Sequence, residues 1–446
     1  MTRATHGRKS IHTSLPGNDI NQKPASEEIL ETKFLPIINI LNHPKNFLSP
    51  MEKALKNKQI SKSDATVIAH SGSHPEDHFG FVNPPIYRGS TVVFPTVDVM
   101  QSGDQRYQYG RWNNPSTEAL CEAITQLEGS AGAVLCPSGL SACVTAILSV
   151  VGSGNHILVP DSVYAPTRHF LNTAGKRFGI ETTYYDPQIG AGIEQLFQLN
   201  TAAVFTESPG SHTFEIQDIP AIAKVAHAHG ALVLLDNTWA TPLYFKAIEH
   251  GVDLSIMAAT KYIVGHSDAL IGTVAASPKA WQQLKSYHFE SGTYVSPDDA
   301  NLALRGLRTL HVRLERHHKS AMKIANWLET HENVSRVIYP GLPSHTNHSL
   351  WERDFKGATG LLSFVTKRAP IEAVKSLLDN LSLFGLGYSW GGFESLAMTV
   401  DPRKLRTTTT WKDDGHLVRL HIGLEDPDDL IADLNIGFEH FRKSSN

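Results

Sequence analysis

The sequence predicts an α/β fold, with a mostly parallel sheet in a large domain and a smaller C-terminal α/β domain after it. Beyond Pro115, short apolar runs alternate with segments of helical period, the rhythm of strands joined by crossover helices. Asp236 and Lys261 each fall just past such a run, where a parallel sheet gathers its ligands. Beyond about Arg308 the pattern changes to longer helices followed by strands, which marks the second domain.

Taken in order, residues 1–60 are polar, lysine-rich in places and without a sustained period, so a flexible N-terminal extension is expected despite an apolar patch at 34–41. Arg3, Arg8 and Lys9 precede the first acid, Asp19, a faint likeness to a transit peptide, but no apolar core follows and secretion is not expected. Residues 61–114 carry Pro84, Pro85 and Pro95 with few helical signals, as in an extended arm lying on a neighbouring subunit. The large domain is expected over 115–308. Leu120, Ile124 and Leu127 open it at helical spacing, and strands are expected at 156–159, 202–206, 231–235, 254–257 and 270–275. Between them, Ile222, Val225 and Ala226 form one apolar helix face. The C-terminal domain, 309–446, holds expected strands at 361–365 and 417–422.

With 446 residues, 41% of them hydrophobic and 19% charged, the chain has a globular composition and excludes disorder over most of its length. Forty basic against 44 acidic side chains give a net charge of −4, with no global basic field to recruit nucleic acid. The three cysteines, Cys121, Cys136 and Cys143, suit neither a disulfide framework nor a Cys-x-x-Cys metal site, and a reducing, cytoplasmic setting is expected. The uncharged stretch 129–155 contains Pro137 and several glycines and serines, so it reads as a loop feeding a buried small-residue helix rather than a membrane span. The 23 histidines show no His-Glu-x-x-His spacing, and His317-His318 beside Arg316 and Lys319 reads as a solvated helix face. The acidic run from Glu425 to Asp429 suits the start of a helix, where the dipole favours it, so no metal is expected.

Lys261 stands among apolar and small residues in Asp253-Leu-Ser-Ile-Met-Ala-Ala-Thr-Lys-Tyr-Ile-Val-Gly-His-Ser267. Burial lowers the pKa of such an amine and leaves it free to form a Schiff base with an aldehyde. By itself the segment is equally compatible with a surface lysine after a strand. Asp236 ends the run Leu232-Val-Leu-Leu-Asp236, and a carboxylate there can hold a ring nitrogen protonated, although strand-end aspartates also cap helices. Pro137-Ser-Gly139-Leu140 turns into a helix whose first amides have no intrahelical partner, an anion site that also occurs as a plain structural turn. Tyr164 could stack on a pyridine ring or simply belong to the core.

Together these segments resemble the transsulfuration family, the fold-type I, transferase-like, pyridoxal 5′-phosphate (PLP)-dependent enzymes of cysteine and methionine metabolism. The resemblance spans about residues 63–445 and is most specific over Asp253 to Ser267. It implies that Lys261 bonds the cofactor aldehyde, that Asp236 pairs with the pyridine nitrogen and that Tyr164 stacks on the ring. It further implies phosphate contacts from the Gly139 and Leu140 amides and the Thr260 hydroxyl. Tyr109 and Arg111, in Tyr-Gln-Tyr-Gly-Arg, match the family's pair that reaches the phosphate of the neighbouring subunit's cofactor. The family also implies a homotetramer, a dimer of dimers with shared active sites. Ala258 departs from the pattern, because many relatives have a serine there that adds a phosphate contact.

Two segments bear on the reaction. Ser389-Trp390-Gly-Gly resembles the branch that cleaves L-cystathionine at Cβ, and Ser211 stands where γ-acting relatives usually have asparagine. Arg419, in Leu-Val-Arg-Leu-His-Ile-Gly-Leu-Glu, is implied as the clamp for the substrate carboxylate, with Ser389 and Trp390 beside it; a guanidinium fork matches a carboxylate with two parallel hydrogen bonds. Lys261, helped by Tyr164 and Tyr109, is implied as the proton-transfer group of a β-elimination giving homocysteine, pyruvate and ammonia for methionine biosynthesis. Cysteine desulfhydrase, cysteine-S-conjugate β-lyase and cystathionine γ-lyase activities are the alternatives within the class. Outside it, Gly265-His-Ser267 with Asp401 and His416 downstream approximates a serine hydrolase, and a non-catalytic PLP-binding regulator is a further option. The partner expected is a small amino acid, with neither nucleic acid nor membrane.

Overall fold

The computed structural model of the chain describes residues 62–445, so the extension expected over 1–60 lies outside the described residues. The larger sheet contains β1 (Gly132–Cys136), β2 (His156–Pro160), β3 (Glu181–Tyr185), β4 (Thr201–Glu207), β5 (Leu232–Asp236), β6 (Leu254–Met257) and β7 (Gly272–Ala276), in the order β1-β7-β6-β5-β4-β2-β3. β7 pairs antiparallel with both β1 and β6; the pairs β6-β5, β5-β4, β4-β2 and β2-β3 are parallel. Helices cover both faces, which is why β1, β2, β6 and β7 are buried at every residue and lack polar alternation.

The smaller sheet contains β8 (Val334–Ile338), β9 (Leu361–Thr366), β10 (Gly385–Leu386), β11 (Leu396–Val400) and β12 (Leu417–His421), ordered β10-β11-β12-β9-β8. Its β8-β9, β9-β12 and β12-β11 pairs are antiparallel. The helices Leu310–Glu329, Ile371–Asp379 and Pro427–Lys443 pack on it. One apolar cluster runs from Val204, Val233 and Trp239 to Leu362, Leu420 and Leu434, and Trp239 Nε1 donates to Leu361 O at 3.1 Å. The two sheets are thereby fixed to each other.

Local chemistry sets the helix ends. Asn114 caps the helix Pro115–Glu128 in a reciprocal box with Thr117, and Gly129 ends it at φ 64°, in the left-handed region that suits glycine. Asp426 caps the last helix by accepting from Asp428 N at 2.9 Å, which accounts for the acidic run there.

Some expectations need correction. The stretch 129–155 holds a strand, β1, before the helix Gly139–Val150; Gly-Ala-Val-Leu-Cys is short enough to pass for a loop, and only its pairing with β7 reveals it. β3 was not expected, because its Thr and Tyr residues form a half-exposed edge without an apolar run. The arm contains short helices at Asp64–His70 and Val97–Ser102. His317 lies on no solvated face: it is wholly buried and its Nδ1 bonds Ile422 O at 2.7 Å.

Candidate active site

The carboxyl ends of β1, β2, β4, β5 and β6 converge on one cavity of about 520 Å³, closed on the other side by β12 and the Tyr388–Trp390 loop. Gly139, Leu140, Tyr164, Asp236, Thr260, Lys261, Ser389, Trp390 and Arg419 all line it. Tyr109 and Arg111 do not. Tyr109 is half-exposed and packs edge-on against Trp112, and Arg111 donates to Phe289 O at 3.2 Å beside a separate cavity.

Lys261 follows β6 in a turn held by its own N–H to Ala258 O at 3.0 Å. Its ammonium hydrogen-bonds Ser389 Oγ and lies 5.4 Å from the centre of the Trp390 ring. Burial, reinforced by the field of Arg419 and opposed by Asp236, brings its pKa down to about 8. The free amine is therefore accessible near neutrality. Asp236 ends β5, where burial raises its pKa against hydrogen bonds from the Thr238 hydroxyl and from Thr238 N at 3.1 Å. Its other oxygen meets the Cys143 thiol at 3.7 Å.

Opposite these groups, Ser138 caps the helix Gly139–Val150 by accepting from Ser141 N at 3.1 Å, leaving the first-turn amides of Gly139 and Leu140 without intrahelical partners. A Cβ on Gly139 would overlap the Cβ of Ala258, so the cradle is backbone by necessity. This fits a phosphate group at a helix start. The Thr260 hydroxyl exchanges hydrogen bonds with Ile271 O and N at 3.1 and 2.9 Å, and must release Ile271 O to serve an anion.

Arg419, on β12, donates to Ser389 O at 3.0 Å; its Nε is buried without a partner, and burial lowers its pKa to about 10. A guanidinium lining the cavity suits an anionic ligand. Ser389 takes φ 76°, left-handed backbone for a residue other than glycine.

Glu207, Cys143 and His212 were missed by the sequence reading. Glu207 ends β4 and accepts the Tyr164 amide at 2.7 Å, which fixes the start of the tyrosine's helix; burial and the nearby Asp236 push its pKa well up. Its place in Glu207-Ser-Pro-Gly was the available signal. The triad alternative fails: Ser267 Oγ donates to Glu394 at 2.5 Å, His416 bonds Ala369 O at 3.1 Å and Asp401 pairs with Arg403 at 2.7 Å. Among the described residues no group of His, Cys, Asp and Glu could hold a metal ion, and no helix is long and apolar enough to cross a membrane.

A mostly parallel sheet whose strand ends bring together a lysine, a partly buried carboxylate and a backbone anion cradle defines a PLP-dependent enzyme of fold type I. The chain belongs to the family described as Cys/Met metabolism PLP-dependent enzymes, whose model matches residues 65–439. It is 54% identical over 377 residues to a Rhizobium johnstonii protein with a provisional cystathionine beta-lyase name, covering 84% of this chain and 95% of that one. Identity to Escherichia coli cystathionine beta-lyase is 42% over 384 residues, 84% of this chain and 97% of the relative. The crystal structure of cystathionine gamma synthase from Xanthomonas oryzae, in complex with aminoacrylate and cysteine, superposes with a TM-score of 0.80 at 32% identity, covering 86% of this chain and all of that one.

Proposed function

We propose that the chain is a cystathionine β-lyase, which cleaves L-cystathionine by α,β-elimination to homocysteine and aminoacrylate, the latter hydrolysing with water to pyruvate and ammonia, in methionine biosynthesis. The observation that carries this reading is the Ser389-Trp390 loop placed between Lys261 and Arg419 in a single cavity. β-Elimination needs one base at Cα, whereas γ-elimination also moves protons at Cβ. An amine confined between a hydroxyl and an indole face suits the single-position task. The names of the relatives agree with it.

PLP, when bound, supplies the electron sink for charge developing at the substrate's Cα. Asp236 would hold the pyridine nitrogen protonated, the Gly139 and Leu140 amides and Thr260 would take the phosphate, and Tyr164 would cover one ring face. Arg419 orients the α-carboxylate while the Ser389 carbonyl fixes the guanidinium. Lys261 Nζ removes the Cα proton, and the departing sulfur takes its proton from Lys261 or from a tyrosine; Tyr164 and, across the subunit boundary, Tyr109 help to deprotonate the substrate amine.

Residues 61–114 act in this scheme as the arm onto the neighbouring subunit, 115–308 as the cofactor-binding domain and 309–446 as the C-terminal domain. Tyr109 and Arg111 then serve the neighbour's phosphate in a homotetramer built as a dimer of dimers. The protein is assigned to the cytoplasm, in keeping with the free cysteines Cys121, Cys136 and Cys143.

The test is to supply L-cystathionine to the PLP-loaded protein and assay pyruvate, 2-oxobutyrate and free thiol, with Lys261→Ala as control. Pyruvate and homocysteine are expected. 2-Oxobutyrate and cysteine would instead assign γ-cleavage, and no visible absorption from bound cofactor after loading would sink the scheme.

A further inference from the structure

His212 lines the same cavity as Lys261 and Arg419, and no step above uses it. Its backbone takes φ 65°, left-handed for a residue other than glycine, and such strain is retained where the surroundings enforce it. The neighbouring Ser211 N donates to Ser162 O at 2.9 Å, and the Ser363 hydroxyl on β9 donates to His212 O at 2.9 Å. The Thr213 hydroxyl donates to Glu215 at 2.7 Å, and Glu215 in turn pairs with Arg406 at 2.7 Å. The loop is thus tied to both sheets.

Its side chain is less well satisfied. Nδ1 is enclosed without a partner, which leaves Nε2 as the ring nitrogen able to meet a ligand. A proton on Nδ1 would bury an unmet donor, the rarer and costlier arrangement, so the proton belongs on Nε2. Burial, with the field of Arg419 added, brings the pKa down to about 4 and keeps the ring neutral at neutral pH. The cavity is therefore lined by a neutral N–H donor together with the Arg419 guanidinium.

We infer that His212 is a substrate-binding residue whose Nε2–H donates to the α-carboxylate of the amino-acid substrate, alongside Arg419. The inference rests on reading the cavity as an amino-acid site with Arg419 at its carboxylate end. A neutral donor adds direction there without a second positive charge beside Lys261, which would depress the amine's pKa further.

The test titrates the PLP-loaded protein with L-alanine and with L-alaninamide, which lacks the carboxylate, following the visible absorption of the cofactor. His212→Phe keeps the ring's bulk and removes the donor; it should weaken L-alanine binding about five- to tenfold while leaving L-alaninamide within about twofold. His212→Asn, which retains an N–H, should recover part of the loss. For L-cystathionine turnover the phenylalanine variant should raise KM more than it lowers kcat. Equal losses for both ligands would mean a structural role, and no loss for L-alanine would remove His212 from the substrate; either outcome overturns the inference. Should the phenylalanine variant not fold, His212→Leu is read by the same titration. A wild-type protein that binds L-alaninamide as well as L-alanine would instead refute the amino-acid-site reading on which the inference stands.

Discussion

Asp161→Asn should be among the most destabilising isosteric changes available in this chain, and the structure gives its size. Asp161 follows β2 and is buried; one carboxylate oxygen accepts from Arg168 Nη2 at 2.6 Å and from Thr407 N at 3.0 Å. The other accepts from Thr408 N at 3.0 Å, Thr409 N at 2.7 Å and the Thr409 hydroxyl at 2.8 Å. Asparagine keeps the shape but turns one acceptor into a donor facing donors, and leaves Arg168 without its anion. Breaking one side of a buried charged pair costs about 3–5 kcal/mol, and the lost amide bonds keep the figure toward the upper end. Burial works against the charged form of Asp161, but the amides of Thr407, Thr409 and Thr408 outweigh it and hold the carboxyl well below the usual range. Because the folded pKa is depressed, this stabilisation is fully present above the unfolded value of about 3.9 and is lost as pH falls through the folded one. Urea unfolding at fixed protein and PLP concentrations should therefore show the full difference at neutral pH, narrowing as the pH falls below about 4. The Thr407–Thr409 amides should lose hydrogen-exchange protection, and PLP retention should fall, because Asp161 anchors the segment leading to Tyr164. A loss below about 1 kcal/mol, or a difference independent of pH, would refute the reasoning.

Four further outcomes are expected. Lys261→Ala should abolish the visible absorption of bound PLP and lower L-cystathionine turnover by at least about 10²-fold. In the cofactor-free protein the rate of PLP uptake should rise as the pH increases through about 8, where Lys261 loses its proton, and Asp236→Asn should move that rise to lower pH, because Asp236 favours the charged amine; a stopped-flow absorption series measures both. Arg419→Lys should reduce kcat/KM about 10- to 100-fold, mainly through KM, since an ammonium gives up one of two parallel charge-assisted bonds. Inactive Arg111→Ala and Lys261→Ala proteins, denatured and refolded together, should regain about a quarter of wild-type activity if sites are shared across a two-fold dimer, and none if each site is self-contained.

Much of the fold and site was legible in the sequence, because both announce themselves over short stretches. Continuous apolar runs marked β2, β4, β5, β6 and β7, since strands buried on both faces need no polar alternation. Lys261, Asp236, Arg419, Ser389 and Trp390 stood out through the neighbours that surround them, and all line one cavity. β1 and β3 carried no such mark: one is a short strand of small residues, the other a polar edge, and pairing alone defines them.

What the tertiary structure decided are encounters between residues far apart in the chain. Glu207 meets the Tyr164 amide, Cys143 meets Asp236 and Asp161 meets Thr407 to Thr409. His212 enters the Arg419 cavity, while His317 turns inward from a segment that reads as solvated. Periodicity and local spacing report how a side chain lies on its own helix or strand. Which ends lie side by side depends on strand order and on how the two sheets pack, and that order is set by the total burial of the assembled core rather than by any short stretch of sequence.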